Sequence, residues 1–523
     1  MSKALLIAVN SQYSHSSLAL RYLREYAGSS IFECSVNDSI FDIYARLSKR
    51  PESIFCFSVY IWNVEYIKKL APMLVTARPE ITILFAGPEA GYQSRSLLET
   101  LWYLSGVIIG EGEEATKAIE QDLPYDQIPN FAWRDGSVVR QNPVTHTDLS
   151  RVPFPYREED LNDLKNKIIY FESSRGCLYQ CSYCLSSSEG KTRVFPMEYV
   201  YSGLYFFMNH RVKLVKFVDR TFNENQQRAC QIAQFIVDHN QCTRFHFEIS
   251  PQLLTQEFLD IVGQANGMIQ FEMGIQTTNR KTMKEIRRIY DPDKTRDLIQ
   301  RIPSNVHTHL DLIAGLPYET LETFQDGFRY VYSMKPQMLQ LGFLKLLHHT
   351  KLKQDAQQYQ IKTTEFPPYE VLSTSTMSAQ DIIFLKNMEK AVDRIYNSGA
   401  FRHTLESLDG QDPFDLFFKL GQGLSEREEH GPISRIGLYE FVYQMFGDSI
   451  KKALTVDFLE NNHKAPLPAC LIDDCPNLKQ LHHRLLQLPQ YQGKKVRLVA
   501  AAHSFFAVYN HQVEEVTSVI KSF

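Results

Sequence analysis

The chain has 523 residues, of which 44% are hydrophobic and 22% charged, an ordinary composition for a soluble globular protein. Its 56 basic and 60 acidic residues give a net charge of −4, which argues against a surface made for nucleic acid and against an acidic tail. At roughly 100–200 residues per domain, this length predicts about three domains.

The terminus and the cysteines bear on the cellular compartment. Residues 4–9 are apolar and polar residues follow them, which predicts a first buried strand and not a secretory signal peptide. No apolar stretch approaches the roughly 20 residues that cross a membrane. The nine cysteines are scattered and odd in number, so we expect no disulfide framework. We therefore expect a cytosolic protein, in which clustered cysteines bind metal.

In the N-terminal part of the chain, short β-rich runs alternate with helical stretches. The strand candidates are residues 4–9, 54–60, 81–85 and 106–109, and the helix candidates are 18–26 and 64–77. This alternation predicts an α/β fold with a doubly wound, Rossmann-like parallel sheet. Ligands of such sheets bind beyond the carboxyl ends of the strands. Three polar or glycine-rich loops lie at those ends, residues 10–16, 87–91 and 110–113.

A second alternating series follows a predicted hairpin at 129–142 and a proline-containing linker. Its strand candidates are residues 168–172, 214–218, 244–248, 269–275, 308–313 and 338–347. Six strand–helix repeats predict a partial (β/α)6 barrel, with the site at the strand carboxyl ends. Amphipathic helical patterns dominate the rest. The predicted division is 1–142, a linker at 143–160, the barrel at 161–365 and a helical C-terminal region at 366–523.

A cysteine cluster follows the first strand of the barrel series. Cys177, Cys181 and Cys184 have the spacing Cys-x3-Cys-x2-Cys. Three thiolates on a tight loop can hold three irons of a 4Fe-4S cluster and leave the fourth iron open. The alternative is a structural zinc site, which takes four ligands. No further cysteine or histidine lies nearby in the sequence, and His210 is distant.

This spacing, with the aromatic Tyr183 before the last cysteine, resembles the radical S-adenosylmethionine superfamily over residues 167–347. The resemblance implies that S-adenosylmethionine binds the open iron and is cleaved reductively to a 5′-deoxyadenosyl radical. It also implies cofactor contacts at Tyr183, Asp219, Arg220, Glu248, Gly274, Gln276, Ile313 and Gly315. The family's Gly-Gly-Glu run is absent, so Asp219 and Arg220 match by position alone. An acid at a strand end can instead cap a helix, and a glycine can simply allow close packing.

The region before the barrel resembles the cobalamin-binding domain of B12-dependent radical enzymes. The implied contacts are Asn10, His15, Ser58, Tyr60, Trp62, Gly87, Pro88, Glu89, Gly110, Glu111, Gly112 and Glu113. The Asp-x-His-x-x-Gly motif, whose histidine ligates cobalt, is absent. His15 is then either a cobalt ligand or a loop residue that caps a helix or binds the cofactor tail. Trp62 either forms a wall of the corrin site or packs in the core. For the whole region, the alternative is an α/β domain that no longer binds cobalamin.

The resemblance implies methyl transfer from methylcobalamin to an unactivated carbon of a small-molecule or peptide substrate. An external electron donor of the flavodoxin or ferredoxin type would reduce the cluster. We expect neither a membrane nor a nucleic-acid partner. Three alternatives stay open: a non-methylating rearrangement, cyclisation or oxidation; methylation of RNA or of a protein side chain; and a non-catalytic binding module on the same fold.

Overall fold

The computed structural model describes residues 3–188, 190–288 and 290–523. Its N-terminal region is a seven-stranded sheet in the order β2-β1-β3-β4-β5-β6-β7. The first five strands are parallel, and β6 and β7 form an antiparallel hairpin at one edge. The strands are β1 (Ala4–Asn10), β2 (Ser30–Ser35), β3 (Ile54–Ser58), β4 (Thr82–Ala86), β5 (Leu104–Ile108), β6 (Phe131–Asp135) and β7 (Val138–Gln141). The helices are α1 (Leu18–Ala27), α2 (Ile40–Leu47), α3 (Val64–Ala77), α4 (Pro88–Gly91), α5 (Ser94–Thr100) and α6 (Glu113–Glu120).

Strand β1 explains why this sheet is covered on both sides. Leu5, Ile7 and Val9 pack in one apolar cluster, whereas Leu6 and Ala8 pack in another on the opposite face. Because both faces are buried, the strand reads as a continuous apolar run. The predicted doubly wound α/β fold is confirmed. Strand β2 was not predicted, because this half-exposed edge strand carries the charged Glu33.

A second sheet has six strands in the order β15-β14-β13-β12-β11-β8, all parallel. Its strands are β8 (Ile169–Phe171), β11 (Leu214–Phe217), β12 (Arg244–Glu248), β13 (Ile269–Gln276), β14 (His307–Ala314) and β15 (Met338–Phe343), with a short antiparallel pair β9 (Ser174–Arg175) and β10 (Arg193–Val194) after β8. The helices here are α7 (Asp160–Leu164), α8 (Met197–Asn209), α9 (Gln226–His239), α10 (Gln256–Gly263), α11 (Arg280–Glu285), α12 (Pro292–Gln300) and α13 (Leu321–Ser333). The predicted partial (β/α)6 barrel is confirmed.

The remainder is mainly helical, as predicted. Its helices are α14 (Lys351–Gln354), α15 (Ala379–Ala391), α16 (Arg402–Ser407), α17 (Pro413–Glu428), α18 (Arg435–Phe446), α19 (Lys451–Asn461), α20 (Leu478–Leu486) and α21 (Thr517–Lys521). A short pair comprises β16 (Lys362–Thr363) and β17 (Val371–Ser373). Among the described residues, no helix has both the length and the apolar character needed to cross a membrane.

A small antiparallel sheet near the C-terminus was missed by the sequence analysis. Its strands are β18 (Arg497–Ala501), β19 (Ser504–Tyr509) and β20 (Gln512–Glu515). The two connecting turns place Ala502, His503, Asn510 and His511 at positive φ. Such hairpin turns usually carry glycine in the sequence. Neither of these turns contains glycine, so the sequence did not indicate the hairpins.

Candidate functional site

The loop that carries the three cysteines is closed at its base by strand pairing. Arg175 of β9 pairs with Arg193 of β10, and Ser174 pairs with Val194. Gly176 follows at a φ of +100°, where a Cβ atom would lie 2.9 Å from the carbonyl oxygen of Lys191. A side chain at this position would therefore meet both an unfavourable backbone conformation and a backbone atom.

The buried carboxylate of Asp219, just beyond β11, holds the start of this loop. Its Oδ2 accepts a hydrogen bond from the Ser173 amide at 2.8 Å, and its Oδ1 accepts from the hydroxyls of Ser173 and Ser174, each at 2.6 Å. Burial raises the pKa of Asp219, and these donors offset that rise. Asp219 was predicted to contact the cofactor, and both of its carboxylate oxygens accept hydrogen bonds from the loop itself.

The cysteine sulfurs have few partners of their own. Cys177 Sγ lies 3.6 Å from Thr221 Oγ1 and accepts a hydrogen bond from the Tyr179 amide at 3.4 Å. Cys181 is buried, whereas Cys177 and Cys184 are half-buried. The Cys184 amide donates to the carbonyl of Cys181 at 3.1 Å, which closes a tight turn between them. The sulfurs of Cys177 and Cys184 thus remain partly accessible, whereas that of Cys181 is shielded.

The three cysteine sulfurs do not all lie as close together as the ligands of one zinc ion would. A tetrahedral zinc with Zn–S bonds of about 2.3 Å would hold its sulfurs about 3.8 Å apart. Among the described residues, the three-residue groups whose ligand atoms all lie within 4.8 Å of one another do not include Cys177, Cys181 and Cys184 together. His210 lies on the surface beside Glu158, with 3.7 Å between its Nε2 and Glu158 Oε1. The cysteine arrangement fits a larger multi-iron cluster.

The inner face of the barrel is polar. In β13, the fully buried Ile269, Phe271, Met273 and Ile275 alternate with half-buried residues on the other face, Gln270, Glu272, Gly274 and Gln276. Successive side chains of a strand point to opposite faces, so the buried set packs in the apolar core and the half-buried set lies on the inner face, here called the lumen face. The sequence analysis missed the charged group there. Charged residues alternating along strands of a covered parallel sheet are the signal that could have found it.

Glu272 is at the centre of this group. Its Oε2 lies 2.8 Å from Lys216 Nζ and 2.9 Å from His246 Nε2, and these neighbours hold the pKa of Glu272 well below its usual range against its burial. Glu272, His309 and Asp311 bring ligand atoms within 4.8 Å of one another. Because the Lys216 ammonium already supplies positive charge, we interpret the group as a charge network and not as a metal site.

The other predicted contacts of S-adenosylmethionine lie along the strand ends. Glu248 ends β12, and burial raises its pKa to about 7. Gln276 ends β13 at a φ of +70°, beyond a bulge that separates it from Gly274. Ile313 is half-buried on the lumen face of β14. A Cβ at Gly315 would lie 2.7 Å from Val371 Cγ1, so close packing explains that glycine.

Two further predicted residues, Tyr183 and Arg220, differ in their exposure. Tyr183 is half-buried on the cysteine loop, and burial raises its pKa. Arg220 is exposed just beyond β11. Burial also raises the pKa of Tyr60 in the N-terminal region, and the positive charge of Arg220 partly offsets that rise. The charge of Arg220, beyond β11, thus acts on the loop after β3.

The first loop of the N-terminal sheet packs on the first barrel strand. His15 Nδ1 lies 2.8 Å from the Tyr170 hydroxyl, and the Ser16 hydroxyl donates to the Ile168 carbonyl at 2.8 Å. Burial lowers the pKa of His15. Asn10 Nδ2 donates to Glu33 Oε2 at 2.8 Å, which braces the loop from behind. This loop thus joins the two sheets.

The loop after β3 offers a flat aromatic surface. The rings of Tyr60 and Trp62 stack with centroids 4.2 Å apart, and Trp62 remains 47% exposed. Trp62 Nε1 donates to the Val9 carbonyl at 3.3 Å, and Asn63 Nδ2 donates to the carbonyls of Val9 and Ser58 at 2.9 Å. The exposed indole is therefore fixed in position at the strand ends, and it is not core packing.

The loop after β4 binds the segment that follows the barrel. Buried Glu89 accepts a hydrogen bond from the Tyr369 hydroxyl at 2.5 Å. Tyr92 stacks on His349 with centroids 4.7 Å apart. Gly87, which precedes Pro88, has a φ of +94°, and a Cβ there would lie 2.7 Å from the Val59 carbonyl oxygen. The glycine lets this loop lie against the loop after β3.

The fourth loop, Gly110–Glu113 by sequence, is occupied by ion pairs. Arg175 Nη2 lies 2.7 Å from Glu113 Oε1 and 2.8 Å from Glu172 Oε1. Glu111 pairs with Arg193 and accepts a hydrogen bond from the Thr147 amide at 2.6 Å. The predicted acidic contacts at 111 and 113 therefore join this loop to the cysteine hairpin. Gly110 is in the left-handed region at a φ of +72°, and Gly112 packs on Leu23.

These four sets of contacts bring the carboxyl end of the N-terminal sheet opposite the carboxyl end of the barrel. The cysteine loop lies at their junction, because Arg175 at its base reaches Glu113. Trp62, after β3, and Arg220, after β11, are both exposed. Ligands bind at such strand ends in α/β folds. The junction of the two sheets is therefore the candidate functional site.

Comparison with known proteins agrees with this geometry. Residues 171–331 match the Radical SAM superfamily, and residues 357–521 match a family described as "Protein of unknown function (DUF4080)". The chain is 25% identical over 299 residues to the cobalamin-dependent radical SAM methyltransferase TokK of Streptomyces tokunonensis. That alignment covers 52% of this chain and 44% of TokK, so the chain matches less than half of that curated relative's length.

Two solved structures share the fold. TsrM from Kitasatospora setae, a radical S-adenosylmethionine methyltransferase solved with cobalamin and a [4Fe-4S] cluster, aligns with a TM-score of 0.59 and 15% identity, covering 70% of this chain and 79% of TsrM. OxsB, a cobalamin-dependent S-adenosylmethionine radical enzyme, aligns with a TM-score of 0.63 and 14% identity, covering 88% of this chain and 75% of OxsB. The resemblance drawn from the cysteine spacing is thereby confirmed. The chain contains a radical S-adenosylmethionine domain at residues 171–331 and has the fold of the cobalamin-dependent radical S-adenosylmethionine enzymes.

Proposed function

We propose that this protein is a cobalamin-dependent radical S-adenosylmethionine enzyme that methylates an unactivated carbon. The observation that carries the proposal is the position of the cysteine loop. It lies at the junction of two facing strand-end surfaces, where its base contacts the N-terminal sheet through Arg175 and Glu113. The proposal includes the division into a cobalamin region at 1–142, a linker at 143–160, a barrel at 161–365 and a helical region at 366–523.

Cys177, Cys181 and Cys184 would hold a 4Fe-4S cluster, and the N-terminal loops would hold cobalamin. When bound, the cluster supplies the electron for cleavage of S-adenosylmethionine, and cobalamin supplies the methyl group. The protein's task is to bind, orient and shield these groups. The stacked Tyr60 and Trp62 offer a flat surface that suits the wide face of a corrin.

Several residues orient the site without touching the reacting atoms. Asp219 fixes the loop at Ser173 and Ser174. Arg228 adds a second anchor, because its Nη2 donates to the carbonyls of Ser173 and Phe195 at 3.1 and 2.9 Å. Such rigid supports keep a reactive geometry within the narrow range that catalysis needs.

His15 is the one histidine in the sequence of residues 1–142, the region that would hold cobalamin. The Nδ1 atom of His15 already lies 2.8 Å from the hydroxyl of Tyr170 on β8, which fixes the ring against the barrel. We therefore propose that His15 joins the two sheets and does not ligate cobalt. Trp62, fixed by its bond to the Val9 carbonyl, is the proposed wall of the cobalamin site.

The substrate would enter between the two sheets. We propose a small molecule or peptide, reduction by a flavodoxin- or ferredoxin-type donor, and a location in the cytosol, where thiols stay reduced. The mildly acidic balance of −4 favours neither RNA nor an anionic surface as partner.

The test is anaerobic turnover with S-adenosylmethionine carrying a deuterated methyl group, hydroxocobalamin and titanium citrate. The proposal expects two products in the absence of a known substrate: 5′-deoxyadenosine, and cobalamin that has gained the labelled methyl group, both read by mass. A Cys181→Ala variant should yield no 5′-deoxyadenosine. Label-free cobalamin with normal 5′-deoxyadenosine would instead support a non-methylating radical reaction. Absence of both products would support a binding module.

A further inference from the structure

Arg288 lacks the carboxylate partner that a shielded guanidinium usually has. It follows α11 and is half-buried against the cysteine loop. Among the described residues, no Asp or Glu oxygen lies within 4.0 Å of its guanidinium nitrogens. Its Nε atom is buried and has no hydrogen-bond partner in that part of the chain. Charged groups shielded from water are ordinarily paired, so this residue requires an explanation.

Arg175, at the base of the same loop, shows the ordinary arrangement. Its guanidinium lies 2.7 Å from Glu113, 2.8 Å from Glu172 and 3.7 Å from Glu111. Three carboxylates thus compensate one arginine. Arg288 lies against the same loop, but it has no carboxylate partner among the described residues. The difference indicates that an anion outside the protein's carboxylates compensates Arg288.

The contacts of Arg288 identify the position of that anion. Its Nη1 lies 3.8 Å from Cys181 Sγ, and its Nη2 donates to the carbonyl of Gly274. Its guanidinium carbon lies 5.9 Å from the centroid of the Tyr179 ring. The carbonyl and the ring fix the plane of the guanidinium, and one nitrogen remains directed at the sulfur. Cys181 is also the buried member of the three cysteines, so water screens this contact least.

We propose that Arg288 is a positioning residue that compensates the negative charge of the thiolate-bound cluster and raises its reduction potential. This inference rests on the proposed function. Reduction adds one electron to the cluster, and a fixed positive charge at hydrogen-bond distance from a ligand sulfur stabilises the more negative form. Net charge and hydrogen bonds to the sulfurs are known determinants of cluster potential.

The experiment is a reductive titration of the anaerobically reconstituted protein without S-adenosylmethionine, followed by electron paramagnetic resonance. Arg288→Gln removes the charge and keeps a similar length. At the wild-type midpoint potential, we expect the ratio of reduced to oxidised cluster to fall about tenfold, which corresponds to about 59 mV for one electron. Arg288→Lys keeps the charge and should shift the midpoint less.

Arg287→Gln is the matched control, because Arg287 is the exposed neighbour and has no ion pair to a described residue. It should leave the midpoint unchanged. Iron analysis accompanies each titration. A wild-type chain without iron would overturn the proposed function, whereas full iron content with an unshifted midpoint in Arg288→Gln would overturn this inference alone. If Arg288→Gln fails to assemble the cluster, Arg288→Met serves as the second variant without the charge: a lowered midpoint supports the inference, and a midpoint equal to that of the wild type contradicts it.

The carboxylate of S-adenosylmethionine is the other anion that could lie beside Arg288. The same variants therefore receive a second titration, with S-adenosylmethionine added to the oxidised cluster. Weaker binding of S-adenosylmethionine by Arg288→Gln, with an unchanged midpoint in its absence, would assign the guanidinium to the carboxylate and overturn the cluster role. A lowered midpoint before any S-adenosylmethionine is added supports it.

Discussion

Asp219 and Ser173 meet through two hydrogen bonds: the carboxylate accepts from the serine amide at 2.8 Å and from the serine hydroxyl at 2.6 Å. The two residues follow neighbouring strands, β11 and β8, which pair in parallel. The contact therefore ties the start of the cysteine loop to the barrel wall. The buried carboxylate of Asp219 therefore supports the cysteine loop.

Asp219→Asn tests that support. The amide nitrogen of the new side chain must face either the Ser173 amide or the two hydroxyls, and the amide pair would be donor against donor. We expect a loss of about 1–3 kcal/mol in the free energy of unfolding of the apoprotein, together with reduced iron content after reconstitution. Urea unfolding and iron analysis measure both. Asp238→Asn, on the exposed face of α9, should change neither.

Gly176→Ala separates backbone strain from collision in the same loop. The new Cβ would meet the Lys191 carbonyl at 2.9 Å, in addition to adopting a φ of +100°. Gly190→Ala is the matched control, since Gly190 has a φ of +80° and no atom within 4 Å of the added Cβ. We expect the control to lose about 1 kcal/mol of stability and Gly176→Ala to lose a further 1–3 kcal/mol, approximately, together with its iron. Equal losses in the two variants would contradict the packing argument.

Glu248→Gln probes the lumen. Burial raises the pKa of Glu248 from 4.5 to about 7, because the lumen disfavours the charged carboxylate. The protonated side chain thus contributes stability that is fully present below pH 4.5 and is lost as the pH rises through 7. The glutamine stays neutral throughout. The apoprotein variant should therefore gain stability relative to wild type across this window, by about 3 kcal/mol as an order of magnitude. A difference that does not change with pH would contradict the raised pKa.

Tyr369→Phe tests the link between the N-terminal sheet and the segment after the barrel. The variant leaves the buried Glu89 carboxylate with Gln93 Nε2, at 2.7 Å, as its remaining side-chain donor among the described residues. We expect a loss of about 1–3 kcal/mol and faster proteolysis of the linker between the two sheets. Tyr13→Phe removes a hydrogen bond to Asp38 from a tyrosine that is 61% exposed, and it should cost less than about 0.5 kcal/mol.

Much of the fold could be predicted from local patterns. The helix Val64–Ala77 and the strand Arg244–Glu248 have the bounds that were predicted, because apolar spacing sets both. The edge strand β2 and the small sheet β18–β20 could not be predicted in this way. One has a charged residue in its pattern, and the other turns at Ala502 and Asn510 without glycine.

In the candidate site, too, local sequence patterns could be predicted and contacts between distant residues could not. The cysteine spacing is local and points to its chemistry directly. The partners that orient the loop are distant in sequence: Asp219 is 46 residues from Ser173, and Arg288 is 107 residues from Cys181. Such pairs depend on the packing of the whole barrel. The ion pairs of Glu111 and Glu113 are a further example, since the sequence shows an acidic loop but not its partners Arg193 and Arg175.

The central claim is that the three cysteines hold an iron–sulfur cluster beside a cobalamin site. The most direct measurement is anaerobic purification with hydroxocobalamin, followed by metal analysis and ultraviolet–visible spectra of the wild type, a Cys177, Cys181, Cys184→Ala triple variant and Cys242→Ser. Cys242 is exposed and serves as the control. The account predicts about four irons per chain and a corrin band in the wild type and the control, with iron lost in the triple variant. Zinc on the cysteines without iron would contradict it.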